Sequence, residues 1–137
     1  MDRRLFLLAL GAVAGCARGG AGPAVVCDPD LVKPLNAALA AWVRKGEATA
    51  FSLQAADPRA LLAAGEAGSG AVIATREPML ADRLQRYGHA RLQNRFKPRI
   101  GAGEVQVVVT RGPGEAAGAR FAEWLASDEA AALLTAP

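Results

Sequence analysis

Residues 24–42 read AVVCDPDLVKPLNAALAAW, and they give the clearest indication of the fold. The apolar run Ala24–Cys27 is short and partly β-branched, which is typical of a strand buried on both faces. An acidic turn with proline, residues 28–30, precedes apolar residues at helical spacing, so we expect a helix over 31–45. A strand followed by a helix opens a βαβ unit, and ligands of such sheets bind outside the carboxyl ends of the strands.

The rest of the chain continues this alternation of strands and helices. Further strands are predicted over residues 48–53, 70–74 and 105–109. Further helices are predicted from Asp57-Pro58 to about Gly65, from Thr75 to Gly88 with Met79, Leu80, Leu84 and Tyr87 on one side, over 116–126, and from Ser127 to Leu134. Residues 90–99 fit no single pattern. The alternation predicts an α/β fold with a doubly wound, mostly parallel sheet in a single domain, residues 24–137.

The chain begins with a pattern typical of protein export. Two arginines and a short apolar run precede Gly15-Cys16, so residues 1–15 are predicted to be a signal peptide. The sequence Val13-Ala14-Gly15-Cys16 resembles a bacterial lipobox, which predicts acylation of Cys16, and Arg3-Arg4 resembles a twin-arginine signal. Residues 16–23 would then be a lipidated tether with membrane attachment through Cys16. The predicted location is the periplasm or the extracytoplasmic face of a membrane.

Composition and motifs exclude several classes of function. A net charge of +3 is too small to indicate nucleic-acid binding. With Cys16 acylated, Cys27 is the only other cysteine, so no intramolecular disulfide is expected. The sequence contains no Walker loop, GxGxxG, HExxH or CxxC, and His89 has no catalytic partner. We therefore predict that the protein is not an enzyme and needs no cofactor.

Four segments resemble the periplasmic solute-binding proteins of the molybdate-binding type (type II). They are Asp30–Leu35, Phe51–Ala56, Ala71–Thr75 with Met79 and Leu84, and the C-terminal Ala119–Ala130. In order, they are similar to the family's Ser-Leu-Thr-x-Ala-Leu turn, its Phe-Ser-Phe-x-Ser-Ser loop, the following strand and helix, and its C-terminal helix motif. The resemblance implies one lobe of a type II periplasmic-binding-protein-like fold. It also implies a substrate-binding component of an ABC transporter that binds a small solute or oxyanion and works with a permease.

The chain departs from that family in two ways. Residues 104–110 lead through Gly112-Pro113-Gly114 directly toward the C-terminal helix, which leaves no room for a second lobe. The family's serine ligands are also replaced, since Asp30 stands at the first position and Ala55-Ala56 at the second. Several carboxylates at one edge would repel an oxyanion. The candidate ligand-binding residues at this edge are Asp28, Asp30, Ala56, Asp57, Thr75 and Arg76.

The aspartates of this edge allow more than one interpretation. Asp28 and Asp57 each precede proline at a predicted helix start, where carboxylates commonly cap the helix. Alternatively Asp28, Asp30 and Asp57, with Cys27 or Thr75 nearby, would form a divalent-cation site, although their spacing matches no known metal motif. A third possibility is a ligand-free interaction module that docks a membrane partner.

A basic run follows the third predicted helix. It consists of Arg83, Arg86, His89, Arg91, Arg95, Lys97 and Arg99, with no acidic residue after Asp82. The simplest interpretation is a solvated face. Arginines beside anionic phospholipid would instead add attraction to a membrane surface.

Overall fold

The computed structural model describes residues 24–47 and 50–135. Its main sheet has five strands, β1 (Ala24–Cys27), β2 (Ser52–Ala55), β3 (Val72–Thr75), β4 (Ala90–Phe96) and β7 (Gln106–Thr110). Their order across the sheet is β2-β1-β3-β7-β4. A separate two-stranded hairpin, β5 (Arg99–Ile100) with β6 (Gly103–Glu104), lies in the connection between β4 and β7. The prediction of an α/β fold with a central sheet is confirmed.

Five α-helices cover the two faces of this sheet. They are α1 (Val32–Arg44), α2 (Pro58–Glu66), α3 (Pro78–Arg86), α4 (Glu115–Leu125) and α5 (Asp128–Leu134), and a 3-10 turn (Pro29–Leu31) precedes α1. One core cluster joins α1, α4 and α5 to one face of the sheet, and a second joins α2 and α3 to the other. In β1, Val25 contributes to the first cluster and Val26 to the second, as successive strand residues must. β1 is therefore buried on both faces, as the sequence predicts.

The sheet is mostly parallel, as predicted, but not purely so. β1 pairs in parallel with β2 and with β3, whereas β7 runs antiparallel to both β3 and β4. The physical reason lies in residues 97–105, the connection between β4 and β7. A parallel crossover needs about a dozen residues or more, usually with a helix. The shorter connection turns back on itself, with the Val105 N–H donating to the carbonyl oxygen of Pro98 at 2.9 Å.

The second strand begins later than predicted. β2 occupies Ser52–Ala55, and residues 50 and 51 precede it, while Ala48 and Thr49 lie outside the described residues. β2 is an edge strand and most of its side chains are exposed. It therefore shows no regular alternation of buried and exposed side chains by which the strand could be located. Phe51 packs instead against the ring of Phe121, with their centroids 5.0 Å apart.

Two residues expected on the buried side of the third helix are exposed to solvent. Leu80 and Leu84 of α3 are buried, but Met79 is 74% exposed and Tyr87 is 62% exposed. The buried side of α3 consists of Leu80, Ala81 and Leu84, so Met79 lies one helical step away from it. Tyr87 follows the last helical residue. An exposed methionine on α3 and an exposed tyrosine directly after it are therefore available for contacts outside this domain.

The ambiguous segment 90–99 contains edge strand β4, with a register shift between Ala90 and Arg95. The strand predicted over 105–109 spans Gln106–Thr110, and the helix predicted over 116–126 spans Glu115–Leu125. Ser127 caps α5 as predicted, its hydroxyl accepting the Ala130 N–H at 3.3 Å.

The predicted signal peptide and tether, with Cys16, lie outside the described residues. No helix within the described part of the chain has the length and apolarity needed to span a membrane.

Candidate functional site

The carboxyl ends of the three parallel strands meet at one edge of the sheet. Cys27, the last residue of β1, stands opposite Ala74 of β3 and Ala55 of β2. The chain stays paired just past these ends, since the Asp28 N–H donates to the Ala74 carbonyl oxygen at 3.1 Å. On the other side, the Ala56 N–H donates to the Cys27 carbonyl oxygen at 2.9 Å. The topology thus brings Asp28, Ala56 and Thr75 to the same edge.

The carboxylate of Asp28 accepts hydrogen bonds from the last residue of β3 and from the residue after it. The Thr75 hydroxyl lies 3.0 Å from Oδ1 and 3.2 Å from Oδ2 of Asp28. The Arg76 backbone N–H donates to Oδ2 at 2.7 Å. Thr75 is 1% exposed, so its hydroxyl needs a partner inside the protein. The Asp28 carboxylate is thus bound by a hydroxyl and a backbone N–H just before α3, a donor set that also suits an external oxyanion.

The helix-cap interpretation is wrong for Asp28. No side-chain cap hydrogen bond reaches the 3-10 turn that follows it, although the Leu31 N–H donates to the backbone carbonyl oxygen of Asp28 at 3.0 Å. The proline signal therefore marks the turn correctly and assigns the wrong role to the side chain. The carboxylate bonds across the sheet to a neighbouring strand, a contact that local spacing does not reveal.

Arg76 connects Asp30 to the β5–β6 hairpin. Its Nε donates to Oδ2 of Asp30 at 2.9 Å, and its Nη2 donates to the carbonyl oxygen of Ile100 at 3.2 Å. The Asp30 side chain is 59% exposed, so this ion pair contributes little to stability. Its effect is local, because the guanidinium is directed toward the chain's own groups. Sequence reasoning missed the hairpin, whose only signal is the pair of glycines Gly101 and Gly103.

Asp57 has a purely local contact. Its Oδ1 accepts the Ala60 N–H at 2.8 Å at the start of α2, which confirms the helix-cap interpretation for this residue. Among the hydrogen bonds and ion pairs of the described residues, none joins Asp57 to Asp28, Asp30, Thr75 or Arg76. Asp57 therefore belongs to the same edge of the sheet by position alone.

A cation site from these aspartates has no support in the geometry. Within residues 24–47 and 50–135, no three His, Cys, Asp or Glu side chains are grouped as metal ligands. Each of the three carboxylates instead accepts a hydrogen bond from the protein itself.

Cys27 is fully buried at this edge. Burial raises the pKa of its thiol to about 11, and the negative charges of Asp28 and Asp30 contribute in the same direction. The thiol is therefore protonated at neutral pH, whereas nucleophiles and metal ligands are thiolates. Cys27 acts as a small core residue.

The buried thiol predicts a loss of stability in alkali. The pKa of the Cys27 thiol is higher in the folded protein than the ordinary value of 9.0. The folded state therefore keeps its full stability below pH 9 and loses part of it as the pH rises toward 11, because the unfolded chain releases this proton more readily. At about pH 10.5 the loss should reach about 2 kcal/mol. Urea unfolding at neutral pH and at that pH measures it, with Cys27→Val as the control that should lose correspondingly less. Equal losses in the two proteins would contradict this account.

The basic run separates into paired and unpaired residues. Arg91 lies 2.7 Å from a carboxylate oxygen of Glu115, and Arg95 lies 2.5 Å from one of Asp82. The Arg99 side chain donates to the carbonyl oxygen of Ala102 at 3.1 Å. Among the described residues, no carboxylate lies within ion-pair distance of Arg83 or Arg86. Arg91, Arg95 and Arg99 thus bind other groups of the domain. Arg83 and Arg86 on α3 remain available to bind an external partner.

Comparison with models of protein families, with curated proteins and with solved structures finds no match to this chain. The resemblance to the molybdate-binding type of protein therefore stays a prediction from sequence.

Proposed function

We propose that this protein is a lipid-anchored, extracytoplasmic domain that derives from one lobe of a type II, molybdate-binding-type solute-binding protein. In this proposal it docks a membrane partner, for which an ABC permease is the first candidate, and does not capture an oxyanion itself. The α/β sheet with helices on both faces supports this lineage, as does the order of the four resembling segments.

One observation carries the preference for docking over solute capture. The Asp28 carboxylate accepts both the Thr75 hydroxyl and the Arg76 N–H, which are the donors best placed to bind an oxyanion at this edge. An external anion would have to displace a carboxylate that is covalently part of the chain. It would also meet the negative charge of that carboxylate. The site is therefore satisfied internally.

The absence of room for a second lobe also supports the proposal. Solute-binding proteins hold their ligand by closing two lobes around a hinge. Here the β4–β7 connection holds only the small β5–β6 hairpin, and the Gly101 N–H donates to the carbonyl oxygen of Leu134 at 3.1 Å. The hairpin is thus fixed to the end of α5. In this proposal the domain presents a surface to another protein and does not close around a solute.

The anchor is tested by Cys16→Ser. We expect the wild-type chain to partition into membranes, and the variant to stay soluble or unprocessed, because acylation supplies the apolar chains that bind the bilayer. Labelling with radioactive palmitate and fractionating the cells measures both properties. Label that persists on the variant would contradict the proposed anchor.

Docking is separated from capture by thermal melts of the wild-type chain with molybdate, sulfate or Mn²⁺. A ligand that binds the folded state raises the melting temperature. The proposal expects no rise with any of the three. A rise with an oxyanion would indicate solute capture, and a rise with Mn²⁺ would indicate a cation-binding lobe.

A further inference from the structure

A shallow groove separates α2 from α3 on one face of the sheet. It has a volume of about 520 Å³ and includes the buried Leu80 in its lining. We call it the α2–α3 groove and define it by Arg59, Leu62, Met79, Arg83, Arg86 and Tyr87. None of these six residues takes part in the described contacts of the Asp28 site. Glu77, which also lines the groove, donates its N–H to the Thr75 hydroxyl at 3.1 Å, so the groove adjoins that site.

The charges around the groove are mainly positive. Three of the ten residues that line it are arginines, and no carboxylate among the described residues lies within ion-pair distance of them. Two acidic residues also line it, but Asp82 is paired with Arg95 at 2.5 Å, which leaves Glu77. The groove therefore presents a net positive charge to whatever approaches it.

The rim of the groove combines this charge with exposed apolar surface. Met79 and Tyr87 are largely exposed, and the guanidinium of Arg83 lies 5.4 Å from the centroid of the Tyr87 ring. A tyrosine is apolar along its ring and polar at its hydroxyl, which suits the boundary between lipid and water. Arginine can likewise place its stem against apolar surface while its charged end stays among polar groups.

The topology places the end of the groove that holds Arg83, Arg86 and Tyr87 on the same side of the sheet as the beginning of β1. Helix α3 connects the carboxyl end of β3 to the beginning of β4, and these two strands point the same way. Arg83, Arg86 and Tyr87 therefore lie toward the edge of the sheet where β1 begins. Residues 17–23 separate β1 from Cys16, and a chain of that length reaches at most about 28 Å.

We propose that the α2–α3 groove docks the domain on the anionic phospholipid surface of the membrane that anchors it. This inference rests on the proposed function in one respect, since acylated Cys16 keeps the groove within reach of the bilayer. Arg59, Arg83 and Arg86 attract anionic head groups, while Met79 and Tyr87 enter the boundary region. The opposite face of the domain, formed by α1, α4 and α5, then remains available to a protein partner.

A fluorophore at position 79 reports contact with lipid directly. The full chain carries Cys16→Ser and Met79→Cys and is labelled with a dye whose emission shifts to the blue in an apolar environment. Cys27 does not compete for the label because it is fully buried. Vesicles of phosphatidylglycerol should shift the emission, and vesicles of phosphatidylcholine should not.

Two double variants in this labelled chain separate a specific surface from general charge. Each arginine close to an anionic surface strengthens binding about fivefold, so Arg83→Gln with Arg86→Gln should weaken the partition constant about thirtyfold. Lys33→Gln with Arg44→Gln removes the same charge from α1 on the opposite face, and it should weaken partition far less. Their thermal melts show whether each variant remains folded.

Three results would overturn the inference. They are no shift with phosphatidylglycerol, equal shifts with the two kinds of vesicle, and equal weakening by the two double variants. The first would leave an acidic protein as the occupant of the groove. None of these results affects the Cys16 experiment, so the anchor can be confirmed while the docking surface is rejected.

Discussion

Asp28→Ala should lower the free energy of unfolding by about 2–3 kcal/mol. The substitution removes the acceptor of the Thr75 hydroxyl and the Arg76 N–H, and hydrogen bonds to a charged acceptor are stronger than neutral ones. The Thr75 hydroxyl still accepts the Glu77 N–H at 3.1 Å, but its own proton loses its partner in a buried position. Urea unfolding of the wild type and the variant measures the difference.

Asp30→Ala is the matched control at the same edge. It also removes a carboxylate that accepts from Arg76, but this pair is largely exposed. An exposed ion pair contributes at most about 1 kcal/mol, so the control should lose much less stability than Asp28→Ala. Equal losses of unfolding free energy in the two variants would show that the hydrogen bonds from Thr75 and Arg76 to Asp28 do not stabilise the fold.

The second large effect is expected at Phe121 of α4. This residue is fully buried, and its ring contacts those of Trp42, Phe51 and Trp124, at centroid distances of 5.5, 5.0 and 6.1 Å. Phe121→Ala should cost about 3–5 kcal/mol, because it removes a large buried ring and leaves a cavity. The loss should appear in urea unfolding as a lower midpoint with an unchanged slope.

Leu92→Ala is the control for Phe121→Ala. It also shortens an apolar side chain, but Leu92 lies on edge strand β4 and is 81% exposed. Its effect should stay within about 0.5 kcal/mol. A loss at Phe121 as small as the loss at Leu92 would show that the aromatic cluster does not hold α1 and α4 together.

Most of the fold could be predicted from local pattern. The buried run before Asp28 predicted β1, and the Asp57-Pro58 and Ser127 signals predicted the starts of α2 and α5. The direction of β7 could not be predicted from its own residues, because an apolar run is equally compatible with parallel and antiparallel pairing. The length of the connection before it, residues 97–105, held that information.

The site could be predicted only by position. The strand ends correctly indicated that Asp28, Asp30, Thr75 and Arg76 would lie at one edge, and the structure joins them in one network. Their mutual contacts could not be predicted, because a carboxylate before proline looks the same whether it caps its own turn or bonds to another strand. The exposed positions of Met79 and Tyr87 were missed for a similar reason, since helical spacing alone does not tell which apolar residues face the core.

Calorimetric titration of molybdate and sulfate into the wild type, Asp28→Ala and Asp30→Ala shows whether the Asp28 carboxylate blocks an anion site. If the Asp28 carboxylate occupies an oxyanion position, the wild type should bind neither anion and Asp28→Ala should bind at one site, because the Thr75 hydroxyl and the Arg76 N–H become free. Asp30→Ala should behave as the wild type does. Stoichiometric binding by the wild type, or no binding by Asp28→Ala while it remains folded, would contradict the account.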